Sequence, residues 1–141
     1  MEDSRRPLVG IGVMIFKDGK VLLARRKNAH GAGEYAFPGG HMEHGESFED
    51  CARRETFEEC GIEIEDAQFL FVANILDYMP RHYVHLSLTA RWKSGEPAVK
   101  ELDKSEEWGW YALDAFPKPL FRVCRMSLES YLSGRKYYDA L

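Results

Sequence analysis

The hydrophobic pattern changes period several times along this chain, and the changes mark its elements. Val9 to Phe16 is an apolar, β-branched run broken only by Gly10 and Gly12, and reads as a strand. Lys17-Asp18-Gly19-Lys20 is a hairpin turn, because Asp-Gly tolerates the positive φ that such turns need, and Val21 to Arg25 returns as the partner strand. Arg26 and Lys27 lead into a loop over 28–33. Tyr35-Ala36-Phe37 is a short extended piece before Pro38 and a glycine loop at Gly39-Gly40. Beyond the helix described next, Gln68 to Leu76 reads as a strand, apolar at Phe69, Phe71, Ala73 and Ile75. After a turn at 77–81, Tyr83 to Trp92 alternates Val84, Leu86, Leu88 and Ala90 against His85, Ser87 and Thr89. A polar loop from Lys93 to Glu106 precedes a last aromatic strand, Glu107 to Tyr111. Pro117-Lys118-Pro119 breaks the chain. Leu120 to Ser133 then carries a helical stripe of Leu120, Val123, Cys124, Leu128, Tyr131 and Leu132, and the tail from Gly134 takes no clear pattern.

The stretch between 47 and 61 is helical in period. Ser47 is a good N-cap with Asp50 three residues on, and Gly61 is a natural C-cap because it reaches the left-handed region without a Cβ clash. On a wheel, Phe48, Cys51, Ala52 and Thr56 define one side. Glu55 and Glu59 fall in its middle, Glu58 at its margin, and Phe57 points the opposite way. Two readings follow. Carboxylates on a core-facing stripe are costly unless paired or bound to a metal, which makes them a site; or the helix is solvated and laced with pairs such as Arg54 and Glu58. Strands, helix, strands, helix is the order of a mixed sheet with a helix on each face.

Composition narrows the class. The 141 residues suit one domain over 1–141, and 45% hydrophobic content is enough for a core. A net charge of −4 argues against a nucleic-acid polymer or an anionic membrane as partner. No apolar run approaches a membrane span, and no apolar segment backs the first residues as in a signal peptide. Cys51, Cys60 and Cys124 have no zinc-type spacing, and an odd count without a framework fits a reducing cytoplasm.

Gly40, five residues, Glu46, seven residues, then Arg54-Glu55-Thr56-Phe57-Glu58-Glu59-Cys60-Gly61-Ile62: this spacing resembles the Nudix box. Every charged and glycine position matches; Thr56 stands where a bulky aliphatic is usual and can pack inward through its methyl. Gly39-Gly40-His41, His82-Tyr83-Val84, Glu107-Trp108-Gly109-Trp110 and Pro117 to Phe121 extend the similarity to the MutT-like nucleoside triphosphate diphosphatases over roughly residues 8 to 125. The resemblance implies an α/β/α sandwich with a mixed sheet between helices. It further implies magnesium, with manganese as a substitute, held by Glu55, Glu58, Glu59 and the Gly40 carbonyl. Arg54 would orient a glutamate by a charge-assisted hydrogen bond.

The implied reaction is water attack at phosphorus, cleaving a nucleoside triphosphate, normal or modified, to the monophosphate and pyrophosphate. ADP-ribose, a dinucleotide or a prenyl diphosphate is the alternative substrate, and a nucleotide-binding module without turnover is the alternative class. Arg26 and Lys27, with Arg25, are phosphate contacts or a solvated strand end. His41 contacts substrate or packs the loop. Phe121 walls the base, and Leu120 joins it or belongs to the core. Glu46 braces the loop or answers the helix dipole, Glu43 braces or is simply exposed, and Glu101 and Glu106 read as exposed rather than close to metal. With 13% aromatic residues, some aromatics should face a ligand or a second subunit, and a homodimer is expected.

Overall fold

A computed structural model of the chain describes residues 5–27 and 30–139. The residues at 1–4, Asn28-Ala29 of the expected loop and the end of the tail lie outside these. β1 (Leu8–Lys17) and β2 (Lys20–Arg26) form the expected hairpin, with Asp18 at φ 51° and Gly19 at φ 77°. β3 (Tyr35–Ala36) and β4 (Gly39–His41) follow, so the glycine loop is a short strand, with Gly10, Ile11 and Gly12 of β1 opposite His41, Gly40 and Gly39. α1 (Phe48–Cys60) is capped as its sequence predicts: the Ser47 hydroxyl accepts from the Asp50 N–H at 3.0 Å, and Gly61, at φ 76°, donates to the Phe57 carbonyl. β5 (Glu63–Ile75), β6 (Tyr83–Ser94), β7 (Ser105–Ala112), α2 (Arg122–Ser133) and β8 (Tyr137–Tyr138) complete the chain.

The sheet is mixed. β1 lies parallel to β6 and antiparallel to β2 and β4; β5 is antiparallel to β6 and parallel to β8; β2 also pairs with β3 and β7. Strand alternation sends residues to two cores. Ile11, Val13, Ile15, Leu22, Ala24, Leu88 and Ala90 pack with Cys51, Ala52 and Cys60 of α1. Met14, Val21, Leu23, Phe71, Ala73 and Ile75 pack with Cys124 and Met126 of α2. One helix per face is therefore what the two-sided burial requires.

Four expectations change. β5 begins at Glu63 rather than Gln68, and bulges shift its register at Glu63/Ile64, Glu65/Gln68 and Phe69/Phe71. As a result Phe69 is half exposed while the adjacent Leu70 and Phe71 are both buried. Phe48, placed inward on the wheel, is 48% exposed in the first turn of α1. α2 starts at Arg122, leaving Leu120 and Phe121 ahead of it. Its inward side carries Ser127 and Ser130 while Leu132 is exposed. The serines can be buried because they are bonded: Ser127 Oγ to Ser87 Oγ at 3.0 Å and to the Val123 carbonyl at 2.9 Å, and Ser130 Oγ to the Arg135 carbonyl.

Candidate active site

The N-terminal cap and glycine turn bring α1 against β4, and this contact assembles a cluster of charges around Arg54. Its Nε donates to Glu46 Oε2 at 2.6 Å and its Nη2 to Glu46 Oε1 at 3.0 Å, a bidentate pair. Nη1 donates to Glu55 Oε1 at 2.7 Å and to Glu58 Oε1 at 3.1 Å, and Nη2 also reaches the His41 carbonyl at 3.0 Å. Glu46 closes the loop in turn, accepting the Glu43 N–H at 2.8 Å. The Arg54 hydrogen bonds, aided by that N–H, hold the Glu46 carboxyl down at about 2, and Glu46 in return pushes Arg54 up. Glu46 is thus the brace of the loop. Glu43 is exposed, 3.7 Å from Arg54.

Glu55 and Glu59 sit deeper. Glu59 Oε1 accepts the Gly39 N–H at 2.9 Å, yet burial dominates and pushes its carboxyl up to about 8. Burial also raises Glu55, against the opposing pull of Arg54. Gly40 leaves the place that the Glu55 carboxylate takes, since a Cβ there would stand 2.0 Å from Glu55 Oε2. Glu58 is the outer member, its side chain 49% exposed. Among the described residues no three carboxylate, imidazole or thiol groups already stand together as a metal cluster, and Arg54 bonds both Glu55 and Glu58. The donor set nonetheless suits a hard divalent cation: hard oxygen donors, two of them partly buried carboxylates whose charge burial disfavours.

Beside the carboxylates opens a cavity of about 480 Å³. Glu55, Glu59 and Lys104 line it, and so do the aromatic side chains Phe37, Phe121, Tyr78, Tyr83 and His85. Arg26 lines it with its guanidinium 4.2 Å from the Phe121 ring centroid, and His41 lines it with its ring 5.5 Å from that of Tyr83. Burial, then Arg81 and Lys104, lowers the His41 pKa.

Other expected contacts are not brought in. Lys27 Nζ donates to the Leu102 carbonyl at 2.6 Å, which ties the strand end to the 101–104 turn. Arg25 turns to Glu106, 3.6 Å away. Leu120 is 8% exposed within the α2-side core. Glu101, read as exposed, instead approaches: it pairs with Lys104 at 3.5 Å and its charge raises Glu59. Lys104 itself was not singled out. Burial opposes its charge, but Glu101, Glu59 and Glu55 together raise its pKa. Nothing in its polar loop marked it, because a lone lysine there reads as solvated. Trp108, on the same wall, has its indole N–H buried without a partner among the described residues.

The model of the NUDIX domain matches residues 6–125 of the chain. The chain belongs to the Nudix hydrolase family. Among its Nudix relatives, NAD-capped RNA hydrolase NudC of Pseudomonas aeruginosa is 34% identical over 125 residues, covering 87% of this chain and 43% of NudC. The chain thus spans less than half the length of that relative. An ADP-ribose pyrophosphatase of Methanocaldococcus jannaschii is 34% identical over 116 residues, 82% of this chain and 68% of its own. A MutT Nudix hydrolase from Burkholderia pseudomallei, 41% identical, superposes with a TM-score of 0.83 over 89% of this chain and 98% of its own. The Nudix α/β/α architecture is the observed one, and no helix among the described residues is long and apolar enough to cross a membrane.

Proposed function

We propose that this Nudix protein is a magnesium-dependent hydrolase that cleaves the diphosphate linkage of a nucleotide. In the leading form it converts a nucleoside triphosphate, normal or modified, to the monophosphate and pyrophosphate. The observation that carries the reading is the pair of partly buried carboxylates, Glu55 and Glu59, on a cavity that aromatic side chains also line. The cavity joins a place for charge to a place for a flat ring.

Glu55, Glu59 and the Gly40 carbonyl would hold the cation, with Glu58 joining on release from Arg54. Bound there, magnesium supplies charge neutralisation on the phosphate oxygens and a lowered pKa for the attacking water. The protein does the rest. Arg54 and Glu46 fix the loop that presents Gly40 and His41. Lys104 and Arg26 bring positive charge to the phosphates. One of the three carboxylates takes the proton of the attacking water. Phe121 offers a face for stacking.

A second substrate has an observation of its own. The relatives are named for ADP-ribose and NAD-capped RNA, in each of which a diphosphate joins an adenosine to a second ribose. Purified protein with magnesium, given nucleoside triphosphates, ADP-ribose, dinucleotides and a prenyl diphosphate, tests both readings. Pyrophosphate should appear from the triphosphates, nothing should turn over in EDTA, and label from ¹⁸O water should enter one phosphate-bearing product. Stepwise release of single phosphates from a triphosphate would overturn the leading form; no turnover of any would leave the binding module.

Two further outcomes are expected. Because the Glu59 carboxyl titrates at about 8 in the fold against 4.5 ordinarily, the folded protein binds the extra proton between these values. Metal-free stability should therefore fall as pH rises from 4.5 to 8, by at most about 1.4 kcal/mol per unit. Magnesium should restore much of it at pH 8 and little at pH 5. Urea melts in EDTA and in magnesium read this directly. The cytoplasm and a homodimer complete the proposal. Phe57 on the outward side of α1 and Phe48 in its first turn, both about half exposed, favour a contact between copies. Light scattering should give twice the 16.3 kDa of one chain; the mass of a monomer at micromolar concentration would remove the dimer.

A further inference from the structure

The cavity wall contains a polar group that neither the fold nor the proposed chemistry uses. His85 lies on β6, two residues before Ser87, so both side chains leave the sheet on the α2 side. Its ring lies over the glycines of β1. A Cβ at Gly12 would stand 3.0 Å from His85 Cε1 and 3.1 Å from Nε2, and one at Gly10 3.6 Å from Nδ1. Two glycines on the neighbouring strand thus leave the space that the imidazole fills. The ring meets Phe71 at 5.8 Å between centroids and borders the cavity.

Two neighbouring polar side chains on α2 are committed. Ser127 Oγ is bonded to Ser87 and to the Val123 carbonyl. Cys124 Sγ accepts the Phe37 N–H at 3.4 Å. His85 makes no hydrogen bond from either ring nitrogen to the described residues. Burial lowers its pKa to about 4, so the ring is neutral at pH 7 and offers one N–H donor and one lone pair. The ring is partly exposed at the cavity wall, where a ligand or water can answer it.

The geometry points to His85 as the residue that reads the edge of the substrate's base, hydrogen-bonding a heteroaromatic ring seated between α2 and the Gly10–Gly12 segment. This deepens the proposed function and rests on its reading of the substrate as a nucleotide. Recognition by a fixed neutral donor–acceptor group gives discrimination among bases, because a wrong edge leaves the imidazole desolvated and unbonded. The site thereby separates two tasks: phosphate contacts at the α1 end are common to all nucleotides, and base choice is made at the β6–α2 end.

Binding of product-like ligands isolates the second task from turnover. The four common nucleoside 5′-monophosphates and ribose 5-phosphate, which has no base, are titrated calorimetrically into wild type, His85→Leu, His85→Gln and Gly12→Ala. Wild type should prefer one base. His85→Leu should weaken that base by about three- to tenfold, the worth of one or two hydrogen bonds. It should also narrow the spread among bases and leave ribose 5-phosphate unchanged. His85→Gln, which keeps a donor and an acceptor, should recover part of the preference. Gly12→Ala, which displaces the ring without removing it, should lose it. With triphosphates, KM should rise more than kcat falls.

Unaltered base preference in His85→Leu, or equal loss of ribose 5-phosphate, would overturn the assignment, as would a wild type without preference. If His85 governs monophosphate binding but no triphosphate or conjugate is hydrolysed, the hydrolase reading fails and this one stands. If hydrolysis proceeds with selectivity independent of His85, the reverse holds.

Discussion

Glu59→Gln should lower kcat by at least about a hundredfold in magnesium, since metal-assisted activation of water supplies several kcal/mol to such reactions. The fold should survive, for a specific reason. Glu59 Oε1 accepts the Gly39 N–H, and a glutamine oxygen in the same place can accept it too. What the amide lacks is charge. Because burial already raises the Glu59 carboxyl to about 8, the variant should lose the decline in metal-free stability between pH 4.5 and 8 predicted for the parent. Loss of turnover with unchanged or higher stability in EDTA at pH 8, and with weakened magnesium binding, is the expected combination. Near-normal turnover would remove Glu59 from the metal site; loss of turnover with unchanged magnesium affinity would move it from ligand to proton acceptor.

The sequence made the chemistry of α1 legible and hid what faces it. Caps at Ser47 and Gly61, and the position of Glu55 and Glu59 on the buried stripe, come from local chemistry and period, which a helix expresses in its own residues. The start of β5 did not show, because three register shifts break the alternation on which strand reading depends. In β6 the alternation holds, but nothing in it tells that its polar positions are covered. Ser87 is fully buried there, under α2. That cover comes from a helix some 40 residues later, and the serines it presents carried no apolar signal; Ser87 and Ser127 are 40 positions apart in sequence. Lys104 and Glu101 were missed or set aside for a related reason. A charged residue in a polar loop gains meaning only from the carboxylates that the fold places beside it. Glu58 shows the opposite limit: it matches the motif in sequence, yet Arg54 draws it outward.

The paired glycines before α1 allow the site to be separated from the scaffold by single methyl groups. Gly39→Ala and Gly40→Ala make the same chemical change one residue apart, on opposite sides of β4. At Gly39 the new Cβ would lie 2.3 Å from the Ile11 carbonyl oxygen and 3.1 Å from Gly12 Cα. These are backbone atoms of β1, paired with β4, so the strands must part. The cost should be that of a disrupted core contact, about 2–4 kcal/mol, near the upper end for single substitutions. At Gly40 the Cβ would lie 2.0 Å from Glu55 Oε2 and 2.3 Å from its Cδ. Those atoms end a flexible side chain, which can swing aside at little cost to the fold. Gly40→Ala should therefore melt within a few degrees of the parent and lose activity by about a hundredfold or more, because Glu55 leaves the place it shares with Glu59. Gly39→Ala should instead lose stability first, and whatever stays folded at low temperature should retain more activity per folded molecule than Gly40→Ala. Calorimetry and turnover on the two variants test this together. An active Gly40→Ala would mean that Glu55 is not needed where the fold holds it, and a stable Gly39→Ala would mean that β4 can leave β1 without loss.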